Sequence, residues 1–532
     1  MRKLARSCMA LALLVLAMPL AGQVSYERIL EAASEPGNWL TYSGNYLGHR
    51  HSPLRQITPG NAARLRPVWV YQIGTTHAFE TTPIVVGDVM YISEPPSDVT
   101  ALDTRTGRPL WKYERRIPES MPLCCGRVNR GVAVLNDLVY IGTLDSHLVA
   151  LDAKSGQVRW DVEVADYKIG ISMTAAPLAL KDKIILGMAG GEFGVRGFLD
   201  AYDAKTGDRL WRFWTVPVAG EPGAETWAGE SWKQGSATTW VTGAYDPESN
   251  LVYWGTGNPG PDWNGDVRKG DNLYSDCIIA LDADTGKLKW YFQFTPHDVH
   301  DWDSVQVPVL ADGEVRGEPR RLVLFANRNG FYYVLDRESG KFLQGKAYVK
   351  QTWASGLDDN GRPMVLPNTS PTVDGNIVYP SLGGGTNWQS PAYNPELHLF
   401  FVAARELGQI YFKGEADFKV GSLYNAGGAR NIPGEEPHGA IRAFQPETGE
   451  LKWDFPLHSP PGGGVLSTAG GLVFGGTGEG DIFALDATNG KPVWRFQTGG
   501  GMRSNPISYE SEGKQHIAVT AGRGLFVFAL EE

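Results

Sequence analysis

Cysteine is scarce in this chain, at four in 532 residues, and no C-x-x-C-H occurs. That absence excludes a covalently attached haem domain. Beyond the first 22 residues there is no apolar run of the ~20 residues a membrane span requires. Positive charge is not in excess either: 49 Lys and Arg stand against 59 Asp and Glu, for a net charge of −10. This argues against nucleic acid as a partner and fits docking to a basic protein. No Pro/Gly/Ser-rich linker or charge block interrupts the sequence. Length alone would allow three domains, but 65 Gly, 34 Pro and 17 Trp are the usage of a turn-rich β-protein, and residues 23–532 read as one domain.

The N-terminus carries the one hydrophobic stretch. "MRKLARS" is basic, "CMALALLVLAMPLAG" is apolar, and Ala21 and Gly22 are small. This is the pattern of a secretory signal peptide over 1–22, with cleavage near Gly22. Cys8 lies too early, and in the wrong context, for a lipoprotein cysteine. The mature protein is expected to be soluble and exported, in a compartment where a disulfide persists. It keeps Cys124, Cys125 and Cys277, so at most one internal bridge forms and one thiol stays free.

Two of those three are adjacent, in "PLCCGRVNRG" (122–131). Neighbouring Cα atoms lie about 3.8 Å apart, below the usual ~4.4–6.8 Å of a disulfide. A bridge there would be strained and would close almost no loop, so chain entropy gives it little stabilising value. By spacing alone the pair reads as two small buried thiols on a strand or turn.

What the chain has in abundance is an internal repeat. "ALDTRTGRPLW" ends at Trp111, "ALDAKSGQVRW" at Trp160 and "AYDAKTGDRLW" at Trp211. "ALDADTGKLKW" ends at Trp290, "AFQPETGELKW" at Trp453 and "ALDATNGKPVW" at Trp494, with a degenerate "VLDRESGKFLQ" around Asp336. Each copy predicts a strand, an Asp-x-x-(Thr/Ser)-Gly turn and a second strand ending in a wedge-like Trp. The shorter spacings suit a four-stranded propeller blade. The C-terminal "LFVFALEE" is half a copy, and "RLRPVW" (to Trp69) is the missing half. Joined, they make one blade from both chain ends and remove the open sheet edges. Seven internal copies and this split one predict an all-β, eight-bladed β-propeller, with long insertions over 212–280 and 345–443.

The repeats resemble those of the quinoprotein alcohol dehydrogenases, which bind pyrroloquinoline quinone (PQQ) on the axis of such a propeller. The resemblance runs from about Trp39 to the C-terminus. It is carried by "CCGRVNRG", "GGEFGVRG", "GTGNPGPDWNGDVRKGDNLY", "TPHDVHDWD", "NRNGFYYVLDR" and "GGTNWQSPAYNP", in family order. PQQ is a flat, tricarboxylated ortho-quinone. It needs flat walls, cations for its carboxylates and a Lewis acid at the quinone oxygen. The resemblance implies that Cys124 and Cys125 form a disulfide ring over one face of PQQ, tolerated as a rigid wall, and that Trp240 lies under the other. It makes Arg130 a carboxylate clamp and Arg328 a donor to the quinone oxygens. Glu80, Thr174, Gly191, Thr238 and Asn387 become polar contacts to the cofactor.

The resemblance also implies a metal site at Glu192, Asn258 and Asp301, whose oxygen ligands suit a hard cation. Asp301 matches the catalytic base, which takes the alcohol proton as hydride leaves. Asp303 follows in "HDWD" and, two residues along an extended segment, faces the same way. Asp at this position marks lanthanide-dependent members of the family. With Glu192 and Asp301 it makes three carboxylates, matching a trivalent ion in preference to calcium.

The sequence also departs from the family pattern. His300 stands where Trp is usual beside the base; it reads either as a residue bearing on substrate or, in preference, as a packed neutral histidine. Ala189 replaces the Ser of methanol-oxidising members, and "GSATTW" replaces a Gly-rich segment. The implied function is periplasmic oxidation of a small primary alcohol to its aldehyde, with electrons passed to a separate periplasmic cytochrome c. A homodimer is compatible with the sequence. The competing readings are a non-catalytic propeller scaffold, which has no need of the paired cysteines or the carboxylates, and a dehydrogenase for sugars or polyols.

Overall fold

The computed structural model describes residues 24–531. The expected signal peptide and Cys8 lie outside them. Among the described residues the only α-helix is Tyr26–Leu30, and apart from short 3-10 turns the regular structure is β-strand.

Each sequence copy builds the outer half of a four-stranded antiparallel sheet, to which His51–Ser52 adds a fifth, parallel strand in the copy ending at Trp494. In the first, Ile84–Val86, Val89–Glu94, Asp98–Asp103 and Pro109–Tyr113 pair in chain order. The repeat's turn joins the last two. Asp103 Oδ1 accepts from the N–H groups of Arg105 and Thr106 at 3.0 and 3.1 Å, an Asx turn. Gly107 closes it at φ +68°, a conformation costly to any residue with a Cβ. A Cβ there would also stand 2.5 Å from Cε3 of Trp69, which lies flat on the turn. The glycine is thus required twice, by its own backbone and by the indole of the neighbouring sheet. The same holds at Gly156 beneath Trp111, where the distance is 2.4 Å.

The described residues form eight sheets of at least four strands. Their tryptophans link one sheet to the next through the indole N–H. Trp69 donates to Thr104 O, Trp111 to Ala153 O, Trp160 to Ala204 O, Trp211 to Ala283 O, Trp290 to Arg337 O, Trp453 to Ala487 O and Trp494 to Leu65 O, at 2.9–3.3 Å. The degenerate copy has Gln344 in place of Trp. There the link is a tyrosine, Tyr332 Oη donating to Pro446 O at 2.7 Å. Burying an indole removes about 150–250 Å² from water, roughly 4–6 kcal/mol as an upper value. Leu65–Gln72 pairs antiparallel with Gly524–Leu530.

The two expected insertions are only partly insertions. Residues 212–280 contain Ala244–Asp246 and Leu251–Gly255, which are inner strands of the sheet completed by Cys277–Asp282 and Leu288–Gln293. Residues 345–443 likewise contain Ala392–Asn394 and Leu399–Glu406, which complete the sheet ending at Trp453. The genuinely added structure is a hairpin, Ala354–Leu357 with Pro363–Val365, and a three-stranded sheet of Asn376–Val378, Gln409–Lys413 and Gly427–Asn431. The repeat motif marks only the outer two strands of a sheet, so the inner strands carry no signature to count.

Candidate functional site

Loops from successive sheets are stitched together by backbone bonds. Thr82 N–H donates to Arg130 O at 2.9 Å, and Arg130 N–H to Thr174 O at 3.0 Å. Gly257 N–H donates to Thr238 O at 2.6 Å. Gly385 N–H donates to Arg328 O at 2.9 Å, and Arg405 N–H to Gly385 O at 2.8 Å. Side chains of the stitched loops face a cavity of about 430 Å³, a size that suits a small-molecule ligand. Of the fourteen residues that the resemblance assigns a role in the site, thirteen line it. The exception is Gly191, whose carbonyl instead accepts from Ser236 Oγ at 2.6 Å. Its neighbour Gly190 takes the place on the wall, at φ +116° and with Gly170 O only 2.1 Å from where a Cβ would be.

One part of the wall is the cysteine pair. Cys124 and Cys125 are disulfide-bonded and exposed toward the cavity, not buried thiols, while Cys277 is free and buried. Cys125 Sγ lies 3.5 Å from Glu192 Oε1. A disulfide sulfur has no proton to donate, so this is a contact and not a hydrogen bond. Alkylation of the denatured, unreduced protein lacking residues 1–22 is expected to add one label by intact mass, and three labels would overturn the pairing.

The wall also holds Trp240 and three guanidinium groups. Arg130 stands 4.9 Å from the Trp240 ring centre and 5.5 Å from that of Trp388, within cation–π range. Its Nη2 is 2.9 Å from Glu80 Oε2, close enough for an ion pair but not directed as a hydrogen bond. Burial pushes the Glu80 carboxyl up, against the pull of Arg130 and Arg503. Arg405, which the sequence reading did not single out, is the third guanidinium. Within the protein, Arg130 Nε and Nη1, Arg328 Nε, Arg405 Nε and Thr174 Oγ1 are buried and find no partner. Buried donors are almost always paired, so this set around one cavity fits a flat ligand rich in carboxylate and carbonyl oxygens. Asn387 is committed locally: its Nδ2 donates to Gly383 O at 3.3 Å and its Oδ1 accepts from Trp388 N–H at 2.8 Å.

Glu192 lines the cavity from one loop, and Asp301 and Asp303 line it from another. Asp298 shapes their loop, its two oxygens accepting from His300 N–H at 3.1 Å and Trp302 N–H at 2.8 Å. Trp302 is buried and donates to Ser381 O at 3.0 Å. Asp301 and Asp303, on either side of it, both reach the cavity. The alternation argument gives the right facing, although Asp301 itself is left-handed, at φ +58°. Asp303 is 5 % exposed and not solvent-facing. Its Oδ1 accepts from Asn258 N–H at 2.9 Å, and its Oδ2 pairs with Arg328 Nη1. Arg328 Nη2 donates to the carbonyls of Asp301 and Leu382 and lies 3.6 Å from Asp301 Oδ1.

Burial and mutual repulsion act together here. Burial raises Glu192 to about 7, with Asp303 adding to the shift and Arg328 opposing it. Burial likewise drives Asp301 well above the carboxylate range, where Arg328 opposes and Asp303, Asp262 and Glu192 add. Asp303 is raised by burial against Arg328. For Arg328, burial works against the charge, but Asp303 and Asp301 outweigh it and the net shift is upward. A cation among these carboxylates would offset their repulsion, so the donor set fits a hard ion.

His300 is turned away from this chemistry. It stacks on Trp302 with ring centres 4.2 Å apart, and its Nε2 bonds Thr369 O at 2.8 Å. Since a carbonyl only accepts, Nε2 carries the proton. The packed-histidine reading therefore describes its setting.

Arg268 fastens the loop of Asn258 to the loop of Asp301. It is fully buried and donates to Pro261 O at 2.9 and 3.0 Å, Asn272 Oδ1 at 2.9 Å and Asp298 O at 2.5 Å. Arg268→Met leaves these three acceptors unpaired. With each such loss worth about 1–3 kcal/mol, a destabilisation of about 3 kcal/mol or more is expected from denaturant titration. A loss under about 1 kcal/mol would remove this role.

Residues 39–346 match the family model for the β-propeller domain of glucose/ethanol/alcohol dehydrogenases that bind PQQ. Residues 437–531 match the model for the outer-membrane protein assembly factor BamB. The quinoprotein alcohol dehydrogenase PedH of Pseudomonas putida is 40 % identical over 98 % of this chain and 92 % of its own. The lanthanide-dependent methanol dehydrogenase of Methylacidiphilum fumariolicum is 37 % identical over 96 % of this chain and 90 % of its own. A solved structure of a europium-containing methanol dehydrogenase superposes with a TM-score of 0.91 at 33 % identity, covering 95 % of this chain and all of that one. Repeat, cavity and relatives agree: the chain belongs to the PQQ-dependent quinoprotein alcohol dehydrogenase family.

Proposed function

We propose that this protein is a periplasmic enzyme oxidising a primary alcohol to its aldehyde with PQQ and one metal ion, a lanthanide in preference to calcium. Electrons leave to an external cytochrome c. The observation that carries the reading is the convergence of Asp301, Arg328, the disulfide and Trp240 on one cavity. Bound there, PQQ supplies an ortho-quinone able to take hydride from the carbinol carbon, and the metal supplies a Lewis acid at a quinone oxygen.

The chain's own residues do the rest. The disulfide and Trp240 provide two flat walls. The unpartnered N–H groups of Arg130 and Arg405 would receive carboxylates, and the free Nε–H of Arg328 would donate to a quinone oxygen. Glu192, Asn258, Asp301 and Asp303 would hold the cation, and the mutual repulsion of the three carboxylates is what it would offset. Asp301 takes the hydroxyl proton as the C–H bond breaks, so the alcohol loses one proton and one hydride and becomes the aldehyde. Glu80, Thr174, Thr238 and Asn387 are assigned polar contacts to the cofactor. At Gly191 that role passes to Gly190.

The same reading makes 23–532 one eight-bladed ring. Its support is the run of eight indole and tyrosyl bonds that steps from sheet to sheet and returns at Trp494 to Leu65, together with the pairing of the two end strands. Residues 1–22 are assigned to export. Among the described residues no helix is long and apolar enough to cross a membrane. The acidic charge suits a basic electron carrier, and a homodimer is consistent with this scheme. Against a scaffold role stands the cost of burying several carboxylates together, which a protein binding no cation has no reason to bear.

The deciding experiment is reconstitution of apo-protein with PQQ plus calcium or lanthanum, followed by a dye-linked assay across alcohols and aldoses. Turnover of primary alcohols, faster with lanthanum, is expected. Turnover of aldoses alone would make it a sugar dehydrogenase, and no turnover with any of them would favour the scaffold.

A further inference from the structure

Asn258 is held by a carboxylate that the scheme above does not use. Asp262 lies four residues further on, beyond Pro259, Gly260 and Pro261, and is 1 % exposed. Its Oδ1 accepts from Asn258 Nδ2 at 2.9 Å. Its Oδ2 is buried and has no hydrogen-bond partner. The bond settles the orientation of the Asn258 amide. The NH₂ end faces Asp262, as it must once a bound cation holds that carboxylate ionised and able only to accept, and Oδ1, the end that can ligate a cation, is left for the cavity that Asn258 lines. An amide turned the other way would offer the ion two N–H donors.

Charge points the same way. Glu192, Asp301 and Asp303 carry three negative charges when ionised, but Arg328 is paired with Asp303 and cancels one of them. Burial, and then Glu192, push the Asp262 carboxyl well above the ordinary carboxylate range; a cation in the site favours its charged form, and Asp262, directly behind Asn258, then restores the third.

We propose that Asp262 is a positioning residue of the cation site: it turns the Asn258 amide oxygen inward and biases the site toward a trivalent ion. The inference rests on the cation site proposed above. It concerns a residue that does not itself line the cavity.

The test is europium titration of the PQQ-loaded protein, read by europium luminescence, with calcium as competitor. Outer-shell carboxylates typically account for about 10–100-fold in metal affinity. Asp262→Asn and Asp262→Ala are each expected to weaken europium in that range and calcium less. A neutral side chain replaces a buried, half-satisfied carboxylate, so both variants are expected to fold. Adding Asp262→Ala to Asn258→Ala should cost less than Asp262→Ala costs alone, since only the charge is then left to lose, whereas fully independent roles would multiply. Asp303→Ala separates the two levels. Weakened europium binding in Asp303→Ala with near-wild-type binding in both Asp262 variants would overturn the Asp262 role alone. Unchanged binding in Asp303→Ala, or no europium bound by the wild type, would overturn the cation site and this inference with it.

Discussion

Asp301→Asn is expected to lower alcohol turnover by about 10²–10⁴-fold, the range that general-base catalysis contributes, while PQQ stays bound. The amide keeps the shape of the side chain but cannot accept the hydroxyl proton at neutral pH. The left-handed backbone at Asp301, φ +58°, tolerates Asn better than most residues, so the loop is expected to hold. The bond from Arg328 Nη2 goes to the Asp301 carbonyl and survives the substitution. PQQ retention, read from the cofactor's absorbance, separates loss of the base from loss of the site. A variant keeping more than about a tenth of the wild-type rate lies outside that range and would take Asp301 out of the base role.

Asp303 is expected to decide which metal works. In the wild type, lanthanum or cerium should support a higher rate than calcium. One further unit of charge on the ion, beside a carboxylate at ~4 Å, is worth about 4 kcal/mol at an effective dielectric of ~20. Solvation losses reduce this, so Asp303→Ala is expected to move the lanthanum-to-calcium ratio of rates toward calcium by about 10–1,000-fold. The side chain also accepts from Asn258 N–H and pairs with Arg328, so truncation disturbs more than charge. Asp303→Asn can keep an acceptor for Asn258 N–H while losing the charge, and should shift the preference in the same direction. If it behaves like the wild type and only Asp303→Ala shifts, the residue matters by position and not by charge. Equal reconstitution of the wild type by the two metals would count against the lanthanide reading.

Much of this protein is written locally. The Asp-x-x-(Thr/Ser)-Gly turn, the Trp that ends each copy and the two half-copies at the chain ends are short-range patterns. Each has its own cause: an Asx turn, a positive φ, an indole lying on a glycine. They are therefore legible in the sequence. The adjacent cysteines and the "HDWD" spacing are equally local. Other features depend on which distant segments meet. Cys124 and Cys125 face the cavity because their loop does, and no spacing argument distinguishes that from burial. Gly190, not Gly191, lines the wall because of how one 3-10 turn meets Gly170 and Ser236. Arg405 lies at the end of a strand that read as insertion, since inner strands lack the turn and the Trp. Asp262 is one acidic residue inside a recognised motif. Only when Arg268 ties that loop to the Asp298–Asp303 loop do its hydrogen bond and its charge fall behind Asn258. The sequence by itself determined the repeating sheets and the residue types of the site. The tertiary structure decided which of them converge, because convergence is set by contacts between loops far apart in the chain.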